Sequence, residues 1–144
     1  MCYVLHLSTT SSEDLSLISS PLVRFQPPSP DDSSLTSRLI HTNKWYINAN
    51  RGGCSCDLRH LAAESASLGF GRPEPWMEEN EEVISATRFL AAVIRRLRAG
   101  DHQVDCIDVW AGSTGDGLTR LKVDLASVAD DEIRFFENYH FLFD

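Results

Sequence analysis

Residues 75–100 read PWMEENEEVISATRFLAAVIRRLRAG, and this stretch decides the class of fold. Val83, Ala86, Leu90, Val93 and Leu97 recur at steps of three and four, and Phe89 and Ile94 widen the stripe. That spacing puts an apolar face on a helix. Glu78, Glu79, Glu81 and Glu82 stand at its start and Arg95, Arg96 and Arg98 at its end, the polarity the helix dipole favours. Gly100 sits where a C-cap belongs. One long amphipathic helix over about 75–99 therefore needs an apolar surface to lie on.

The rest of the chain supplies strands for that surface. CYVLHLS (2–8) sets Tyr3, Leu5 and Leu7 against Cys2, Val4 and His6. Both sides are largely apolar, as in a central strand covered on both faces. LVRFQ (22–26) and KWYINAN (44–50) read as further strands, and a turn at Asn50–Gly53 leads into an extended piece through the cysteines, making a hairpin. QVDCIDVWAG (103–112) is a strand, GSTGDG (112–117) a turn, and LTRLKVDL (118–125) its hairpin partner. YHFLFD (139–144) is a last strand.

Shorter helices fit between these strands. SSEDLSLISS (11–20) offers one or two turns, and a capped segment runs from Ser29 to about Ile40 behind a proline-rich loop at 26–30. SVADDEIRFFEN (127–138) begins like a capping box and predicts two more turns. Irregular alternation with two hairpins predicts an α+β fold, one domain over 1–144, with a mixed or mostly antiparallel sheet.

Thirteen basic against 21 acidic residues leave a net charge of −8, which disfavours nucleic acid and anionic membranes as partners. No stretch has the roughly 18 apolar residues of a membrane span, and the start lacks the pattern of a secretory signal. The expected location is cytoplasmic, with Cys2, Cys54, Cys56 and Cys106 as thiols.

NRGGCSCDLRHL (50–61) carries the most chemistry. On a strand, Cys54 and Cys56 would leave the same face and share a zinc ion, with His60 and Cys106 as further ligands. The one-residue spacer departs from the usual C-x₂₋₄-C of zinc sites and from the C-x-x-C of dithiol oxidoreductases. The alternative is a glycine turn with two small buried thiols behind it. A nucleophilic thiol would need His60 as a base, helped by the charge of Arg51 and Arg59.

Asp105 and Asp108 face opposite sides of one strand. Asp108 shares its face with Cys106 and Trp110, and if buried it needs an arginine or histidine partner. Asp108 and Trp110 are the pocket candidates. AGSTGDGL (111–118) reads as a turn and not a phosphate loop, since a strand follows it and the lysine is missing. Arg95–Arg98 reads as the dipole-matched end of the helix, and His6 and His140 as core residues. FFENYHFLF (135–143) is aromatic enough either to complete the core or to pair two copies as a homodimer.

No complete catalytic constellation is present, which leans away from an enzyme. The leading expectation is a non-catalytic binding or interaction domain without a cofactor. The alternative is zinc binding, or a reactive thiol, at Cys54-Ser55-Cys56.

Overall fold

The computed structural model describes residues 2–18, 20–49 and 53–144. In chain order the strands are β1 (Tyr3–Thr9), β2 (Arg24–Gln26), β3 (Asn43–Asn48), β4 (His60–Leu61), β5 (Val104–Trp110), β6 (Thr119–Val123), β7 (Phe135–Phe136) and β8 (Tyr139–Phe143). The described residues also form two α-helices, α1 (Ser33–Thr36) and α2 (Glu81–Ala99), and several short 3-10 helices of three to six residues. Six strands form one sheet in the order β2-β3-β1-β5-β8-β6, and β4 and β7 form a separate parallel pair. Within the large sheet only β6 and β8 run parallel; the other neighbours are antiparallel. The fold is therefore α+β with a mixed sheet.

β1 pairs β5 along its whole length, from Tyr3 opposite Trp110 to Thr9 opposite Val104. Leu5, Leu7, Val104, Cys106, Phe141 and Phe143 join Leu90, Val93, Ile94 and Leu97 of α2 in the main core. Val4, Ile107 and Val109 turn to the opposite face, where Leu35 and Leu39 cover them. The strand legible at residues 2–8 is thus central and buried on both sides.

The long helix begins at Glu81, later than its composition predicts. Glu78 adopts φ 54°, a left-handed conformation that separates the turn Pro75–Met77 from α2. Asn80 then caps the helix by accepting from the Val83 N–H at 2.9 Å. At the far end the arginines act as fasteners. Arg95 reaches Asp130 and the carbonyls of Leu125 and Val128, and Arg96 grips both oxygens of Glu13.

Three sequence expectations give way. The hairpin of 103–125 does not close, because β8 lies between β5 and β6. β6 exposes Arg120 and Lys122, which suits an edge strand. His140, Phe141 and Phe143 of β8 are buried, which suits an interior one. The aromatic C-terminal segment is consequently paired on both sides, and the sheet edges are β2 and β6.

Residues 127–138 form no two-turn helix. The N–H groups of Phe135 and Glu137 are taken by the carbonyls of Arg59 and Leu61, which holds this stretch extended as β7. The cysteine segment is a turn and not a strand, drawn in by the bonds of Ser55 to Tyr3, Leu5 and Ile47. The expected turn at Asn50–Gly53 lies outside the described residues except for Gly53, at φ 87°.

Replacing Asn80 with alanine should lower stability by about 1 kcal/mol through loss of the cap. Leu90→Ala, in the centre of the core, should cost about 2–5 kcal/mol. Urea denaturation read by circular dichroism measures both.

Candidate functional site

β1 is longer than its neighbour β3. Their pairing ends at Leu5 opposite Ile47, while β1 continues to Tyr3 against β5. The backbone groups left over would be buried without partners, which costs as much as a lost hydrogen bond each. Ser55 supplies them. Its hydroxyl accepts from the Leu5 N–H at 2.9 Å and donates to the Ile47 carbonyl at 2.5 Å. Its own N–H donates to the Tyr3 carbonyl at 3.0 Å. Ser55 is fully buried, and the residues on either side of it are the two cysteines.

This plug brings three sulfurs together. The Sγ atoms of Cys2, Cys54 and Cys56 all lie within 4.8 Å of one another. The Cys54 thiol donates to Cys56 Sγ at 2.8 Å, and the Tyr3 N–H donates to the same sulfur at 3.3 Å. Cys54 is buried; Cys2 and Cys56 are partly exposed. Cys2 was missed as a site residue in the sequence because 52 positions separate it from Cys54, and only the register of β1 joins them. Cys106 is elsewhere, fully buried in the core, and burial holds its thiol well above the ordinary range.

His60 does not turn towards the sulfurs. Its Nδ1 is 2.8 Å from Asp108 Oδ2, and its Nε2 is 2.6 Å from the Ser55 carbonyl. Both side chains are buried. A ring between a carboxylate and a carbonyl satisfies both only when each nitrogen carries a proton. Burial pulls the His60 pKa down, but attraction to Asp108, its hydrogen bond and the Ser55 carbonyl together raise it above 6.5. Burial likewise raises Asp108, with His60 opposing. Both directions mean that the pair keeps its proton to higher pH than separated groups would. Tyr3 stacks on the imidazole at 4.2 Å and on Trp110 at 4.3 Å, which locks the arrangement.

Asp105 serves the opposite face. It meets His140 at 2.6 Å, the Ser8 hydroxyl and the Ile40 N–H, a satisfied buried network that ties the 37–42 turn to the sheet. His6 is also buried on that side, 3.5 Å from Asp32.

A cleft of about 420 Å³ opens beside the sulfurs, lined among others by Tyr3, Cys56, His60, Trp76, Glu78 and Glu79. Neither Asp108 nor Trp110 lines it; both support residues that do. Arg59 lies beneath, fully buried, bonded to Glu79 at 2.6 Å and to the carbonyls of Gly71, Asp131 and Ile133. Its charge is thus spent on Glu79 and does not activate a thiol.

Cys56 is not armed as a nucleophile. Burial, then the close contact with the Cys54 thiol, pushes its pKa up to about 12, with the Tyr3 N–H pulling the other way. A thiol becomes reactive when its thiolate is favoured, and here the base is engaged elsewhere. A positive ion placed among the sulfurs would reverse that balance by displacing their protons.

The chain matches no protein-family model, no curated protein and no solved structure. Its chemistry is carried by these residues alone. Among the described residues, no helix is long and apolar enough to cross a membrane.

Two outcomes are expected. Ser55→Ala should cost about 1–3 kcal/mol, since it strands the buried Leu5 N–H and Ile47 carbonyl; urea midpoints measure it. The His60–Asp108 pair should make stability fall as pH rises. His60 holds its proton in the folded state from about 6.5 up to its raised value, so its contribution is full below 6.5 and lost above that value; the raised Asp108 acts in the same direction from the ordinary carboxylate range upward. Asp108→Asn removes the largest upward influence and leaves burial opposed by the Ser55 carbonyl and Cys54, so the slope of denaturation midpoint against pH should flatten or invert.

Proposed function

We propose that this chain is a metal-binding domain, holding one soft, thiolate-seeking ion at Cys2, Cys54 and Cys56. The observation that carries the reading is the convergence of three sulfurs, two from one turn and one from the residue just before β1, within 4.8 Å of one another. Cysteine thiolates are the preferred donors for zinc and for monovalent copper. Metal–sulfur bonds of about 2.3 Å place the sulfurs of a shared ion roughly 4 Å apart. The 2.8 Å between Cys54 and Cys56 would open by about 1 Å, within reach of side-chain rotation on a turn.

The surroundings favour the same reading. The Tyr3 N–H aimed at Cys56 Sγ offers the outer hydrogen bond that steadies a thiolate ligand. The Ser55 bonds to β1 and β3 fix the backbone of both flanking cysteines. Cys56 also borders the cleft, which gives an ion a path in. Binding without catalysis fits the site, where His60, the imidazole nearest the sulfurs in sequence among the described residues, is held by Asp108 and the Ser55 carbonyl.

Elemental mass spectrometry on tag-free protein tests the proposal. Near one soft metal ion per chain is expected, falling to background in Cys2→Ser, Cys54→Ser and Cys56→Ser. Cys106→Ala should keep the ion. Metal-free protein that also fails to take up zinc or copper(I) in titration would refute the reading.

A further inference from the structure

We infer that the ion suited to this site is monovalent copper, Cu(I), bound by three sulfurs and no other protein atom. The inference rests on the metal-site reading above and adds the identity of the ion.

The donor count carries it. Among the described residues, the group of ligand atoms consists of three sulfurs, with no imidazole nitrogen or carboxylate oxygen joining them. His60 is the nearest imidazole in sequence, and its two nitrogens are held by Asp108 and the Ser55 carbonyl. Turning it to an ion would leave Asp108 buried without its counter-charge. One oxygen of that carboxylate, Oδ1, already has no hydrogen-bond partner among the described residues. The histidine is therefore committed, and the described residues offer three ligands.

Three ligands divide the soft ions. Zinc in closed protein sites is four-coordinate and tetrahedral, so three sulfurs leave it needing water or an outside ligand. Monovalent copper is softer, is selected by thiolates, and is satisfied by two or three of them. Charge argues the other way by one unit, because a divalent ion neutralises more of the thiolate charge. Cys2 and Cys56 are partly exposed, so water screens that difference. Coordination number is not relieved in this way, since recruiting His60 as a fourth ligand would break its pair with Asp108. The missing ligand outweighs the missing charge.

The test uses the intact chain, reduced and metal-free, under anaerobic conditions. Cu(I) is titrated against bathocuproine disulfonate, and Zn(II) against 4-(2-pyridylazo)resorcinol. Copper-edge X-ray absorption then counts the scatterers around the bound ion. The expected result is one Cu(I) per chain held against its chelator, three sulfur neighbours and no nitrogen or oxygen, while Zn(II) is surrendered. Cys2→Ser should surrender its Cu(I) to the chelator with its circular dichroism spectrum unchanged. Retention of zinc against its chelator, or copper bound in clusters of more than one per chain, would overturn the copper assignment and leave the metal site standing. Retention of neither ion would overturn both.

Discussion

A strand inside a sheet must satisfy its backbone along both sides, and β1 extends past one of its neighbours. Its pairing with β3 ends at Leu5 opposite Ile47, while β5 continues alongside it to Tyr3. The turn around Ser55 fills that gap with a hydroxyl and a peptide group in place of a ladder. Everything distinctive about the site follows from this repair. The turn must come close enough for hydrogen bonds, and so its cysteines come close to Cys2. The next residues must run on beneath β5, and so His60 arrives against Asp108.

β5 is the strand on which the two faces of the molecule are balanced. Its aspartates are three residues apart and so lie on opposite sides of the sheet, each with its own histidine: Asp108 with His60, Asp105 with His140. A carboxylate this deeply buried is tolerated only when paired and hydrogen-bonded. The two pairs differ in what they secure. Asp105, braced by Ser8 and His140, holds a turn onto the sheet through the Ile40 N–H, whereas the Asp108 pair orients a ring that supports Tyr3 and the backbone of Ser55.

Local periodicity was enough to read the long helix, the central position of β1 and the opposite faces of Asp105 and Asp108. Each depends on neighbours a few residues apart, where spacing translates directly into direction. The sulfur cluster depends on something else. Cys54 and Cys56 announced themselves by proximity, but Cys2 joins them only because β1 outlasts β3, a fact of register that no local pattern encodes. His60 was read as a partner for the cysteines for want of knowing that Asp108 would reach it first. The position of β8 was more accessible than the hairpin reading allowed. Arg120 and Lys122 on β6 already marked an edge strand, and the aromatic run in β8 marked a buried one.

That slot between β5 and β6 also orders events in time. Each of these strands has β8 as a neighbour in the finished sheet, yet residues 139–143 follow both in the chain. During synthesis β5 waits with one side of its backbone open, and β6 has no place to pair at all. Contacts spanning such separations are slow to form, because the intervening chain must be ordered first. Until β8 arrives, the nascent protein carries an exposed apolar strand edge of the kind that recruits chaperones or aggregates. Vectorial synthesis thus makes the last strand a latch, and makes this fold vulnerable until it closes.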